Sequence, residues 1–207
     1  GSGKSLCFQL PGLAEVGGLT LVVSPLCSLM RDQCMELQAC GIAAEYLTSD
    51  TDKAEARRIL NSVSHPDPSA DPRRFLYVTP ERIAKSKTLL NKLQVAYTAG
   101  RLRRFVVDEV HCVAIDGNDF RPDYMKLAVL RTNFENVPII GCTATATSQV
   151  LGECQQALQL RGACVFQGDF DRPNLFLSVR RKEPGEKAHI AQIGKLIRAE
   201  SDGETTP

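Results

Sequence analysis

Two adjacent carboxylates, Asp108 and Glu109, close the apolar run Phe105-Val106-Val107, and His111 follows two places on. The chain itself opens on Gly1-Ser2-Gly3-Lys4-Ser5. Glycines whose backbone N–H groups can surround phosphate oxygens, then a lysine and a hydroxyl, make the second half of the pattern G-x-x-x-x-G-K-[ST]. In that chemistry Lys4 reaches the β- and γ-phosphates of a nucleotide and Ser5 ligates magnesium. A strand-terminal acid, here Asp108, holds the same metal, and a second, Glu109, orients or deprotonates the attacking water. Each stretch alone has a plainer alternative: a glycine-serine linker for the first, a strand ending in solvated acids for the second. Together, with strands between them, they point to nucleotide hydrolysis. The requirement is geometric: the amine of Lys4 and the acids at 108 and 109 must meet in one pocket.

These residues need elements to hold them. Residues 19–24, 43–47, 75–80, 102–110 and 137–145 read as strands, most of them nearly unbroken apolar runs. Helical spacing runs over 25–40, with Pro25 suited to a first turn and Gly41 to a cap, then over 51–63 and roughly 81–97. Further helices are expected at 122–133, 147–158 and 187–199, and extended pieces at 165–168 and 175–181. Residues 64–72 are polar and broken by prolines, hence a loop, and 201–207 read as a linker. Apolar strands alternating with helices predict an α/β domain of three layers with a mainly parallel central sheet buried on both faces. Ligands of such sheets sit beyond the carboxyl ends of the strands. The stretches VVSPL, VVDEVH and GCTAT each end a strand in residues that can do chemistry.

With 25 basic residues against 24 acidic ones the net charge is +1, so any contact with a polyanion must be local. No apolar stretch approaches the ~20 residues that cross a bilayer, and no membrane partner is expected. The eight cysteines stand singly with no C-x-x-C pair, several inside apolar runs. Reduced core thiols fit that pattern better than a disulfide or zinc framework.

The segments GSGKSLCFQLP, VVSPLCSLMRDQ, LYVTPERI, FVVDEVHC, NDFRPDY, GCTATAT and DRPNLF occur in an order that resembles the first motor domain of a RecQ-family ATP-dependent DNA helicase. The resemblance runs from residue 1 to about residue 180, and Leu47-Thr48-Ser49-Asp50 looks closest to the Bloom-syndrome-type branch. It implies a RecA-like (P-loop NTPase) domain over 1–180 lacking its N-terminal strand. Residues 181–207 would be a terminal helix and linker towards a second RecA-like domain of the same chain. It further implies ATP and Mg²⁺ as cofactors, single-stranded and duplex DNA as partners, 3′–5′ unwinding in repair and recombination, and a nuclear location. By the same resemblance Gly1, Ser2, Gly3, Lys4 and Ser5 bind the triphosphate, Ser5 and Asp108 hold the metal, and Glu109 is the catalytic base. His111 and Thr143-Ala144-Thr145 couple hydrolysis to movement, and Arg172 and Asn174 lie near the nucleotide. Ser24, Pro25 and Ser28, with Thr79 and Arg82, grip DNA phosphates, while Phe120 and Arg121 keep a partial contact with DNA. Contacts of that kind position a strand without reading its sequence. Turn or cap chemistry remains the alternative for these serines and threonines, and Arg82 could equally be a solvated helix residue.

The chain also departs from the family. The leading glycine of the phosphate loop, its strand and the segment that reads adenine are expected ahead of residue 1. The second motor domain is expected beyond residue 207, with an arginine finger of the kind worth ~10³–10⁵ in rate in P-loop enzymes. Residues 1–207 alone should therefore be nearly inert, and the family's zinc and winged-helix modules are missing from this stretch. Relatives carry an aromatic-rich loop S-Q-W-G-H-D-F-R after the acids, where this chain has Ala114, Ile115, Asp116, Gly117, Asn118, Asp119, Phe120 and Arg121. Asp116 stands in place of a tryptophan that could stack on a base, a contact worth ~1–3 kcal/mol, and its charge repels phosphate. With no tryptophan anywhere in the chain, nothing nearby substitutes.

Two classes of function therefore stay open: a working helicase motor, and a degenerate relative that binds nucleotide or DNA without unwinding. A small-molecule P-loop kinase is disfavoured, because such enzymes lack the serine-proline-leucine and threonine-alanine-threonine stretches. Weak stimulation of ATP hydrolysis by DNA is expected, and Asp116→Trp in the full-length protein should raise it. A flat response in a steady-state ATPase titration with oligonucleotide would reject this account of the loop.

Overall fold

A computed structural model describes residues 3–65, 74–113, 121–145, 147–160, 162–168, 175 and 178–201. The chain divides into two units, 1–166 and 167–207. In the first, strands β1 (Leu19–Val23), β2 (Ala44–Leu47), β3 (Phe75–Val78), β4 (Leu102–Val107) and β5 (Ile139–Gly141) form a sheet of order β2-β3-β1-β4-β5. Every pairing is parallel. Around it lie α1 (Lys4–Ala14), α2 (Cys27–Ala39), α3 (Lys53–Val63), α4 (Pro80–Lys85), α5 (Lys87–Thr98), α6 (Pro122–Met125), α7 (Ala128–Asn133) and α8 (Ser148–Ala157).

The layering follows from strand alternation, which sends successive side chains to opposite faces. Leu21, Val23, Leu76, Val78, Phe105 and Val107 enter one core with Ile59 of α3 and Leu89 and Leu93 of α5. Val22, Phe75, Tyr77 and Val106 enter the other, against Phe8 of α1 and Met30, Cys34 and Leu37 of α2. A sheet covered on both faces explains why its inner strands read as unbroken apolar runs. Two cations are buried to brace it. Arg104 pairs with Glu15 Oε1 at 2.7 Å, and Arg101 Nη1 donates to the His65 carbonyl at 2.7 Å, beyond the end of α3.

Register is what gathers the chemistry. Leu47 pairs with Val78, Val78 with Val23, Val23 with Val107, and Val107 with Gly141, one row across the whole sheet. Thr48, Thr79, Ser24, Asp108 and Cys142 therefore follow at a single rim.

Local signals set the boundaries. Asp52 caps α3 by accepting from Ala54 N and Glu55 N, and Thr79 caps α4 with Pro80 in its first turn. The helix expected over 81–97 is two helices, because Ser86 is extended and its hydroxyl caps α5 by accepting from Leu89 N. Helix α2 begins at Cys27, leaving Pro25 outside it. The strand expected over 102–110 ends at Val107, after which Glu109 turns at a positive φ of 47° and Val110–Val113 form a 3-10 turn. The helix expected over 122–133 is divided into α6 and α7. Residues 165–168 and 178–181 are not strands. The loop expected over 64–72 lies from residue 66 outside the described residues, and the linker from 202.

All eight cysteines are free thiols, four of them buried. The second unit is described by α9 (Glu186–Ser201), on which Gln192 Nε2 donates to the Arg181 carbonyl at 3.1 Å. Among the described residues no helix is long and apolar enough to cross a membrane.

Helix α1 lies close on the sheet at Gly12. A Cβ there would stand 2.7 Å from Cε1 and Cζ of the fully buried Phe75. Gly12→Ala should cost ~1–3 kcal/mol of stability through overpacking, read as a lower urea midpoint at unchanged slope.

Candidate active site

At the end of β4 the Asp108 N–H donates to the Val23 carbonyl at 2.8 Å, continuing the ladder by one residue and fixing where the side chain emerges. Asp108 is 7% exposed. Burial, then the adjacent Glu109 charge, raise its pKa above the ordinary carboxylate value. Three groups pull the other way: the Glu109 N–H, which donates to Oδ1 at 3.1 Å, the ammonium of Lys4, and the side chain of Gln33 on α2. Tyr124 of α6, fully buried, donates its hydroxyl to the Asp108 carbonyl at 2.9 Å. Lys4 stands at the start of α1 behind Gly3, which has a left-handed φ of 70°, and Ser5 follows in the first turn. The structure thus brings Lys4 and Asp108 within electrostatic reach at one rim.

Glu109 and the end of β5 are linked through a histidine. His111 Nδ1 lies 3.3 Å from Glu109 Oε2 and 2.9 Å from Thr143 Oγ1, and Thr143 Oγ1 accepts from the Thr145 N–H at 3.1 Å. The backbone reinforces the link, since Val110 N donates to the Cys142 carbonyl at 2.9 Å. His111 Nδ1 therefore stands in contact with both the Glu109 carboxylate and the Thr143 hydroxyl.

The residues expected to touch DNA lie along the same rim, at β1 and β3. Ser24 is 1% exposed, with its hydroxyl buried and without a hydrogen-bond partner among the described residues. Pro25 is buried and Ser28 is exposed in the first turn of α2. Thr79 spends its hydroxyl on capping α4. Arg82 is half-buried, its Nε without a partner among the described residues. Arg121 Nη1 donates to the Pro25 carbonyl at 2.9 Å, tying the segment after the acids to β1. Gly1, Ser2, Phe120, Arg172 and Asn174, with Asp116 and Asn118, fall outside the described residues.

Gln33 and Tyr124 were not anticipated. Gln33 stands inside the quoted VVSPLCSLMRDQ stretch, and its helical phase with Met30 and Leu37 was the available signal. Its Oε1 is buried and unpartnered among the described residues, beside Asp108. Asp108, Ser5 and that amide oxygen are hard oxygen donors of the kind Mg²⁺ takes, and Mg²⁺ is bound through one or two carboxylates plus substrate phosphates. The described residues hold no group of three or more His, Cys, Asp or Glu able to cage a metal alone. The residues fit a magnesium ion shared with a nucleotide.

Parallel strands carrying a lysine-led helix start and a buried acid at one rim define a P-loop NTPase-type α/β domain. The solved DUF1998 helicase MrfA bound to DNA and AMPPNP shares this fold at TM-score 0.58 and 18% identity, covering 76% of this chain and 22% of that one. The chain belongs to the DEAD/DEAH box helicase family, whose profile matches residues 1–153, and its relatives are of the RecQ type. It is 44% identical to a putative ATP-dependent DNA helicase Q1 of Caenorhabditis elegans, over 99% of this chain and 32% of that protein. The ATP-dependent DNA helicase Q1 of Rattus norvegicus gives the same values. The RecQ-like DNA helicase BLM of Xenopus laevis is also 44% identical, over 89% of this chain and 13% of that protein. The chain spans about a third of the length of the Q1 relatives.

Glu109 holds its left-handed backbone without being glycine. Such a conformation costs ~1–2 kcal/mol, stored at the rim. Glu109→Gly should raise stability by about 1 kcal/mol in urea unfolding while removing the carboxylate that His111 contacts; a destabilised variant would show that Glu109 is unstrained.

Proposed function

We propose that this chain is the ATP-binding motor domain of an ATP-dependent DNA helicase. The protein would couple Mg-ATP hydrolysis to 3′–5′ movement on single-stranded DNA and to duplex opening in repair and recombination, in the nucleus. The observation that carries this reading is the Lys4 charge acting on the buried Asp108 carboxylate at the strand rim. Mg-ATP, when bound, would supply the phosphoryl group and a cation to offset its charge, held by Lys4, Ser5 and Asp108.

The chain's own residues do the rest. Gly3 and the amino end of α1 present N–H groups to phosphate, and Lys4 adds its charge. Ser5 and Asp108 would hold the magnesium. Glu109 orients the attacking water and takes its proton, while His111 Nδ1 fixes the carboxylate and passes its state to Thr143. The domain over 1–180 would then act with a second motor domain. Ser28 and Arg82 are the groups of the expected DNA set best exposed to a phosphate.

A second reading, a module that binds nucleotide or DNA without unwinding, draws on Asp116 and Asn118 in the loop after the acids. A strand-displacement assay separates the two, since only the first gives magnesium- and ATP-dependent release of the displaced strand. Lys4→Ala in the full-length protein should lower kcat for ATP hydrolysis by at least ~10²-fold, as expected for loss of a charge that stabilises the transition state. Unchanged turnover in that variant overturns the phosphate role.

A further inference from the structure

Two buried oxygens near Asp108 have no hydrogen-bond partner among the described residues: Ser24 Oγ and Gln33 Oε1. Ser24 is 1% exposed and Gln33 7%. Leaving such a group unsatisfied out of water is costly, and folded proteins keep few of them. Alanine or methionine would fill the same space without the cost. A pair of these oxygens flanking one carboxylate therefore points to a donor that the chain itself does not supply.

Strand alternation puts both oxygens on the carboxylate's side of the sheet. Val22 pairs with Val106, and both enter the core beneath α1 and α2. Ser24 and Asp108, two residues further on, point to that same face. The backbone ladder persists that far, since Ser24 N donates to the Val78 carbonyl at 3.0 Å and Asp108 N to the Val23 carbonyl at 2.8 Å. The two side chains thus stand side by side at the rim. Gln33 reaches them from α2, whose Met30, Cys34 and Leu37 pack on that face. Its side chain pulls the pKa of Asp108 downward, the sign expected of an N–H donated to the carboxylate, which leaves Oε1 as the spare acceptor.

A magnesium ion brings the missing donors with it. Mg²⁺ demands octahedral oxygen ligation and dehydrates reluctantly, so an ion held by Ser5, Asp108 and nucleotide phosphate keeps several waters. Each of those waters has hydrogens to place, and buried acceptors beside the ion fix where they go. We propose that Gln33 Oε1 and Ser24 Oγ accept hydrogen bonds from magnesium-bound water next to Asp108, which makes both of them positioning residues for the ion. They act through the ion's water rather than on the nucleotide. This assignment rests on the Mg-ATP reading above and deepens it.

The test uses the full-length protein with ADP, and Mn²⁺ as an octahedral stand-in whose free fraction is read by electron paramagnetic resonance. Gln33→Met keeps the side-chain length without the amide, and Ser24→Ala removes the hydroxyl. Each should raise the Kd for Mn²⁺ in the ADP complex about tenfold, while ADP affinity without metal stays within about twofold of wild type. In urea, metal-free Ser24→Ala should unfold at the wild-type midpoint or above it, because it discards an unsatisfied oxygen. With Mn²⁺ and ADP bound, its midpoint should fall below that of wild type. Unchanged Mn²⁺ affinity in one variant overturns that residue's share, and in both the whole proposal, leaving the motor reading intact. An equal loss of metal-free ADP affinity overturns it in favour of a role in shaping the nucleotide pocket. A lowered metal-free midpoint in Ser24→Ala shows the hydroxyl already satisfied without metal, and overturns its assignment to the ion. Wild-type protein whose ADP complex takes up no Mn²⁺ overturns the magnesium site, and the motor reading with it.

Discussion

Keeping Asp108 ionised while taking it out of water is the demand around which the rim is built. A carboxylate in a low-dielectric site favours its neutral form, and a second carboxylate one residue away favours it further. The chain answers with a backbone N–H from Glu109, an amide from Gln33 and the charge of Lys4, each supplied by a different element. Tyr124 fixes the main chain from below. These groups reduce the penalty without removing it, because the pKa of Asp108 stays raised. An incoming divalent cation would be favoured for the reason that the bare carboxylate is not. Lys4 of α1 and Gln33 of α2 act on that one side chain, and Tyr124 of α6 holds its backbone carbonyl.

Parallel pairing spreads the consequences along the rim. A single row of register places the acid and the His111–Thr143 link at β4 and β5, and the hydroxyls and Arg82 at β1 and β3. Ser24 and Asp108 follow neighbouring strands, joined by the bond from Asp108 N to the Val23 carbonyl. Glu109, at a positive φ, stands beside the His111–Thr143 link.

Much of this was legible in the sequence because its causes are local. Apolar runs such as 19–23 and 75–78 announce strands covered on both faces, and Thr79-Pro80 announces a helix start. The strand-end acids and the lysine behind glycines were visible as residue types at the right places in the order of elements. What the sequence hid depends on distant partners. Gln33 and Tyr124 matter only because β4 delivers Asp108 between them, and the buried Arg101 only because α3 ends beside it. Ser24 was expected to grip a DNA phosphate or to serve a turn or cap, yet strand alternation carries it to the side of Val22, beneath the helices, where it is buried. Ser86 divides a helix because its own hydroxyl competes for the Leu89 amide, a choice that apolar spacing does not reveal.

Opposite the rim, the helix-to-strand returns before β2 and β4 pass through Gly41 and Gly100, both at positive φ, and a Cβ on either would meet nothing within 4 Å. That edge carries connectivity, with the exposed thiol of Cys40 beside Gly41. It is where evolution, or an engineer, could splice in a reporter or a whole guest module and leave the rim that carries Asp108 undisturbed.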